Sequence, residues 1–349
     1  MADSGSKQLN VAVIGYGLAG AVFHAPLIAA EPRMRVAAVV TGSRERAEQA
    51  RAQHPGVRVL AHTDELFGAP ELADLVVVAT PNSSHAPLAR ASMQAGVPVV
   101  VDKPMTPTAA QAAELVATSQ KTGVPLSVFQ NRRWDGDFLT VRRLVEAARL
   151  GEVARFESRF ERWRPTPKGG WREVGGADEA AGLLYDLGSH LVDQALHLFG
   201  PARVVHAETD ARRAGVTSDD DTFVALLHDS GVRSHLWMSA VATDLGPRFR
   251  VLGSQGSYVK YGLDVQEDAL RAGMRPGDPR WGRDEPSRYG VVGVPEQTET
   301  VETEPGAYES YYAGVASAIL DGAPLPVDPA DAVRSLGLLE DARKLAEGK

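Results

Sequence analysis

With 349 residues, 44% of them hydrophobic and 23% charged, the chain has the length of two domains and the composition of an ordinary globular protein. Its net charge of −8 argues against a nucleic-acid partner, which needs clustered positive charge, and the basic pairs Arg132-Arg133, Arg142-Arg143 and Arg212-Arg213 are too short to supply it. The lack of any cysteine excludes disulfides, thiolate nucleophiles and zinc–thiolate sites.

Residues 1–8 form a short polar tail without the apolar stretch of a secretory signal. No apolar run reaches the ~18 residues of a membrane span, so a cytoplasmic protein with no membrane partner is expected. From residue 9, β-branched runs alternate with helix-like stretches. Leu9–Gly15, Arg35–Thr41, Leu72–Thr80, Val97–Val101 and Pro125–Phe129 are apolar at consecutive positions, as strands buried on both faces are, and Val57–Leu60 is a further candidate. Leu18–Ala30, Ser43–Gln53, Ser84–Ala95 and Thr108–Thr122 read as helices, with Gly96 and Gly123 placed for left-handed caps. Pro26 interrupts the first of these and predicts a break near His24. The alternation predicts a doubly wound parallel sheet, a Rossmann domain over residues 9–125.

The texture changes over residues 126–349, which are expected to form a substrate-binding and dimerisation domain. Gly136–Leu150 reads as an amphipathic helix, Glu152–Glu161 as a strand, and Leu183–Phe199 as one helix closed by Gly200-Pro201. Val204–Asp210, Thr222–Leu227, Arg233–Ser239, Phe249–Gly253 and Ser257–Tyr261 predict a mostly antiparallel sheet. Leu263–Val301, poor in apolar residues and rich in Gly, Pro and charge, predicts a long arm. Tyr308–Leu320 and Pro329–Ala346 are helical, the latter capped by Asp328.

Gly15-Tyr16-Gly17-Leu18-Ala19-Gly20 fits G-x-G-x-x-G directly after an apolar strand and at the opening of a helix, the context in which that pattern holds a dinucleotide. Gly15 permits the tight turn, Gly17 lets a pyrophosphate approach the backbone, and Gly20 lets helix and strand pack closely. The helix N-terminus then offers free N–H groups to the anion. The second strand ends in Thr41-Gly42-Ser43-Arg44, with no acid for a ribose 2′-hydroxyl. A hydroxyl followed by a guanidinium suits a 2′-phosphate, so NADP is the expected cofactor and NAD the alternative. The competing reading has Ser43 merely capping a helix and Arg44 in solvent.

Lys103 follows the buried run Val97–Val101 and is held extended by Pro104. That places an amine beyond the carboxyl ends of the strands, where the nicotinamide should lie. On one continuous helix Asp186, His190 and Asp193 fall within about 60° of each other. A carboxylate one turn from a histidine can fix its tautomer and stabilise the imidazolium, giving alcohol dehydrogenation its base. The same residues with His197 could bind zinc, but neither HExxH nor cysteine accompanies them and hydride transfer needs no metal, so none is expected.

Together these residues resemble the Gfo/Idh/MocA oxidoreductase family, named for glucose–fructose oxidoreductase and inositol dehydrogenase. The resemblance covers nearly the whole chain: GYGLAG, ATPNSSH after the fourth strand, DKP where the family usually has EKP, and D-x-G-S-H-x-x-D. GYGLAGAVFHAPLI, VFQNRRWDGDF and LYDLGSHLVDQALHLFG look most like the branch that includes NADP-dependent scyllo-inositol dehydrogenase. The resemblance implies a C-terminal domain with a large open sheet and helices on one face, through which homodimers or homotetramers form. It implies Lys103, Asp186 and His190 as the catalytic set, with His190 the proton acceptor. It puts Asn131, Arg132 and Asp193 along a small polyhydroxylated substrate, and Thr80, Pro81, Asn82 and His85 along the nicotinamide. Trp163, Trp171 and Trp134 sit near the expected pocket, where they could stack on a sugar or cyclitol ring, although aromatics there are more often simple packing.

The activity so implied is hydride transfer between NAD(P) and a hydroxyl-bearing carbon of a polyol, cyclitol or sugar. Alternatives on the same scaffold are an NAD-dependent glycosidase, a bilin-type reductase, or an NAD(P)-sensing protein without turnover. Sensors of this kind tend to lose the lysine or the histidine, and this chain keeps both Lys103 and His190.

Overall fold

The valine-rich runs assemble into a sheet covered on both faces. In the computed structural model, which describes residues 8–176 and 179–348, six parallel strands form it. They are β1 (Leu9–Ile14), β2 (Met34–Val40), β3 (Arg58–Leu60), β4 (Leu75–Val78), β5 (Val99–Val101) and β6 (Leu126–Val128), in the order β3-β2-β1-β4-β5-β6. The order reverses between β1 and β4, opening a crevice beyond the carboxyl ends of the strands. All but one residue of the expected polar tail lies outside the described residues.

The helices of this half are α1 (Ala25–Ala30), α2 (Arg44–Gln53), α3 (Thr63–Phe67), α4 (His85–Gln94) and α5 (Ala109–Thr122). The break expected at Pro26 is present: a π-helical turn over Ala19–His24 leads into α1, which restarts with the proline in its first turn. Gly96 (φ +78°) and Gly123 (φ +69°) take the left-handed conformation after α4 and α5. α3 has too few residues to show a periodicity, yet it is capped: the backbone N–H groups of Ala61 and His62 both donate to Glu65.

The second half contains α6 (Gly136–Glu146), β7 (Val153–Glu161), α7 (Trp171–Val174), α8 (Leu183–Asp186), α9 (Gly188–Phe199), β8 (Ala202–Asp210), β9 (Asp221–His228), β10 (Arg233–Ser239), β11 (Phe249–Gly253), β12 (Ser257–Lys260), α10 (Gln266–Arg271), β13 (Gly290–Val294), β14 (Gln297–Val301), α11 (Glu309–Asp321) and α12 (Pro329–Glu347). Its eight strands run β14-β13-β12-β11-β7-β10-β9-β8 and pair antiparallel except for β7 with β10. α9 and α12 cover one face, burying Leu191, Val192 and Leu339 with Leu226, Leu236 and Met238. The other face carries a partly exposed stack in which Phe223 lies 4.9 Å from Trp237 and the Arg159 guanidinium 3.8 Å above Trp237.

Two expectations need correction. Leu263–Val301 is not an arm. It contains α10, and β13 with β14 extends the sheet by a hairpin, pinned through the buried Lys260 Nζ–Asp284 Oδ2 pair at 2.8 Å. The strand signal was hidden because β14 is an exposed polar edge and glycines interrupt β13. Leu183–Phe199 is also not one helix. It stops at Asp186 and restarts at Gly188, which sits so close to α12 that an added Cβ would lie 3.2 Å from Leu339. No described helix is long and apolar enough to cross a membrane.

Candidate active site

The loop after β1 is shaped by what its glycines lack. A Cβ on Gly15 (φ +91°) would fall 2.5 Å from the Ala79 carbonyl oxygen, and one on Gly20 would fall 2.0 Å from the Gly15 oxygen. A Cβ on Gly17 would meet the Arg46 guanidinium at an ordinary contact distance of 3.8 Å. The backbone there is a cradle that a diphosphate can enter, at the start of the helix carrying Leu18, which is exposed, and Ala19. Tyr16 turns inward, its hydroxyl donating to Gln53 and accepting from His54 at 2.9 Å, so only its backbone is offered to a cofactor.

At the end of β2, Thr41 accepts from the Ser43 N–H, and Ser43 caps α2 by accepting from the Arg46 N–H at 3.4 Å. Arg44 points into solvent and pairs with Glu48 at 3.0 Å. This is the capping arrangement weighed against the phosphate-binding one in the sequence. Arg46 was not foreseen there: nothing in a surface helix sequence says which of three arginines bends over the glycine loop.

The loops after β4 and β5 are tied together by His85, buried, whose ring nitrogens lie 2.8 Å from the Thr80 oxygen and 2.9 Å from the Pro104 oxygen. Ser84 donates to Thr80 Oγ1, and Asn82, following Pro81, donates to the Glu179 carbonyl across the crevice. His85 thus shapes the loop that Thr80 and Pro81 present. Asp102 turns toward the first helix, with His24 Nε2 3.8 Å from its Oδ2. Burial raises its carboxyl, but His24, then Lys103 and His85, outweigh this and hold it below the usual carboxylate range.

Lys103 reaches from the first half of the molecule into the second. Its Nζ donates to the Asp186 carbonyl oxygen at 2.7 Å and to Asp186 Oδ1 at 2.9 Å. That carbonyl is available because α8 ends there. Burial pushes the Asp186 carboxyl up, but Lys103 and Arg172 overcome it and hold it at about 2. His190, on the first turn of α9, is buried, and its Nδ1 has no hydrogen-bond partner among the described residues. Burial, reinforced by Lys103, Arg132, Arg248 and Arg162, holds it well below the ordinary histidine range, so the ring is neutral near pH 7.

The expected single-face triad is therefore rearranged by the break before Gly188. The Asp186 carboxylate serves Lys103 rather than His190. Asp193, anticipated along the substrate, is buried and spent on Arg133, which donates to its two oxygens at 2.8 and 2.7 Å and also to Asp331. Asn131 is buried in the short turn after β6. Arg132, on that turn, lines a cavity of about 520 Å³, where its guanidinium meets Glu267 Oε2 at 2.5 Å. Trp163, just over half exposed, stands on the cavity wall, whereas Trp134 packs edge-on against Tyr311 and Trp171 carries Arg172 over its ring. No group of three or more His, Asp or Glu side chains among the described residues is arranged to hold a metal ion.

Comparison with known proteins fits this geometry. Residues 9–130 match the Gfo/Idh/MocA model described as an oxidoreductase-family NAD-binding Rossmann fold, and residues 142–349 match that family's C-terminal alpha/beta domain. scyllo-Inositol 2-dehydrogenase (NADP(+)) IolW of Bacillus subtilis (strain 168) is 37% identical over 346 residues, 98% of this chain and 94% of its own. The oxidoreductase YdgJ of Escherichia coli (strain K12) is 43% identical over 339 residues, 96% and 95% of the two chains. The solved structure of the oxidoreductase yvaA from Bacillus subtilis superposes with a TM-score of 0.93 at 36% identity, covering 99% of this chain and 98% of that one. The chain belongs to the Gfo/Idh/MocA oxidoreductase family, joining an NAD-binding Rossmann domain to that family's C-terminal alpha/beta domain.

Proposed function

We propose that the crevice transfers a hydride between NADP and a hydroxyl-bearing carbon of a cyclitol, polyol or sugar, with Lys103, Asp186 and His190 as the catalytic set. The observation that carries this reading is the Lys103–Asp186 pair beside a buried imidazole whose Nδ1 has no partner among the described residues. When bound, oxidised NADP supplies the hydride acceptor. As hydride leaves carbon the hydroxyl must lose its proton, and neutral His190 is the base in reach of the crevice. Lys103, fixed by two hydrogen bonds to Asp186, orients the hydroxyl with its remaining N–H and stabilises negative charge developing on oxygen. Asp186 holds that amine in place across the domain boundary.

Several features support NADP over NAD. Thr41 and Ser43 close β2 with no carboxylate to repel a 2′-phosphate, and Arg46 lies over the glycine loop. Arg44 can join them at little cost, since its exposed pair with Glu48 is weak. The name of the Bacillus relative makes scyllo-inositol the first substrate to try. Residues 126–349 then bind substrate and, through the stack of Phe223, His235 and Trp237 on the uncovered sheet face, associate with a second copy. The cysteine-free chain suits the reducing cytoplasm.

The test is a panel of inositols, aldoses and bilins with NADP(H) and NAD(H). Lys103→Ala and His190→Ala should each lower kcat by about 10²–10⁴ while NADPH binding persists. Wild-type turnover in both variants would refute the assignment.

A further inference from the structure

Arg162 stands out among the charged side chains of the crevice. It directly follows β7, where its backbone N–H donates to the Ser239 oxygen at 2.8 Å. Its guanidinium lies 4.6 Å from the centre of the Phe160 ring, and that of Arg132 lies 4.8 Å from the same ring. Arg132 is neutralised by Asp135 and Glu267. Arg162 makes no ion pair and no side-chain hydrogen bond among the described residues, although it is half-buried. Burial, with Arg164 adding to it, pulls its guanidinium down to about 10, far from the ordinary arginine range. Arg164 and Lys168 share the cavity wall and are likewise without ion pairs among the described residues.

The cavity wall carries five cations, Arg132, Arg162, Arg164, Lys168 and Arg271, against four acids, Glu161, Asp264, Glu267 and Asp268. Glu267 is held by Arg132 and Arg271, and Asp264 accepts the backbone N–H groups of Gly136 and Gln266. A half-buried cation whose nearest acids, Glu267 and Asp186, are each already paired with another cation costs stability, a cost that an anionic ligand would offset. The cavity is of ligand size at about 520 Å³. Lys103, Asp186 and His190 do not line it, but Arg162 on its wall is close enough to lower both Asp186 and His190. A neutral cyclitol would leave Arg162 with no ion-pair partner among the described residues. We propose that the substrate is a polyol bearing an oxyanion, a carboxylate or a phosphate, and that Arg162 receives this group with Arg164 and Lys168 around it. The proposal rests on the polyol-dehydrogenase reading and narrows its substrate to acidic polyols. An oxyanion accepts two parallel N–H bonds from the guanidinium, which a hydroxyl cannot do.

A matched set of sugars tests it: D-glucose, D-glucuronate and D-glucose 6-phosphate, neutral, carboxylate and phosphate on one ring. Both kcat/KM with NADP(H) and the dissociation constant for the NADP-loaded protein, by calorimetry, are measured. One of the two acids should be favoured over D-glucose by about 10–100-fold, the range of a charge-assisted contact, and which one identifies the source of the oxyanion. Arg162→Gln should bring that ratio to within about threefold. The exposed substitutions Arg164→Gln and Lys168→Gln, which put folding at little risk, should each reduce it by about two- to fivefold. A wild-type ratio near one, a ratio unchanged in Arg162→Gln, or no measurable binding of either acid overturns the proposal. If the acids bind selectively but no polyol turns over, the dehydrogenase reading fails while the anion site stands. If neutral polyols turn over without acid preference, the reverse holds.

Discussion

The two ends of the crevice are built by different means. At the end proposed for the cofactor the backbone is laid bare: Gly15, Gly17 and Gly20 make room, a helix begins, and Ser43 caps its neighbour. At the end proposed for the substrate, side chains from distant parts of the chain are set against each other: Lys103 on Asp186, Arg133 on Asp193, Arg132 on Glu267, with Arg162 unpaired among the described residues. A dinucleotide is common to many proteins and can be held by peptide groups that every sequence has. A particular substrate has to be told apart by charge and shape, which only side chains supply. The cofactor end should therefore tolerate side-chain replacement, while the substrate end should be costly to disturb.

The largest expected effect tests that cost. Asp193→Ala leaves Arg133 buried beside Asp331 alone, and should lower stability by about 3–5 kcal/mol in urea unfolding. A loss under 1 kcal/mol would mean that Asp193 is no clamp and is available to substrate after all. The next effect concerns pH. The Asp186 carboxyl lies below its unfolded value, so its contribution is present above about pH 4 and is lost as pH falls through about 2. That contribution is about 2 kcal/mol and should vanish from the acid-unfolding profile of Lys103→Met. His190 is also shifted down, chiefly by burial, but for a histidine this disfavours the charged form. Because its neutral form is favoured, the acid limb of kcat/KM for oxidation should lie below pH 6.5, and an acid limb above 6.5 would contradict the burial of its base. The smallest effects belong to the cofactor end. Arg46→Ala should raise the KM for NADP by about tenfold and leave that for NAD unmoved, with a lesser change in Arg44→Ala. Equal losses for both cofactors would place these arginines outside the 2′-phosphate site.

The same contrast explains what could be read in the sequence. The parallel sheet, its glycine loop and the caps at Ser43, Gly123 and Asp328 are local patterns, and each is present. Lys103 was legible because a buried strand ends just before it. The break between Asp186 and Gly188 was not: LYDLGSHLVDQALHLF keeps a helical period throughout, and the packing of Gly188 against Met238 and Leu339 is set by residues far along the chain. That break turned the anticipated Asp–His pair into a Lys–Asp pair. The opposite fates of Arg132 and Arg133 are decided by a single turn after β6, which sends one to the cavity and the other to Asp193. Arg162 was invisible because its distinction is to lack an ion-pair partner among the described residues, a property of the folded whole.

The position of β7 has a consequence for how the protein comes off the ribosome. It is the central strand of the large sheet, yet both strands that flank it, β10 and β11, are made later, from residue 233 onward. Until then Phe156 and Phe160 have no sheet to enter, and two unpaired edges are presented to the surroundings. Nascent chains stalled before Gly253 should accordingly be held by chaperones, whereas chains stalled near residue 130 already contain every strand of the parallel sheet.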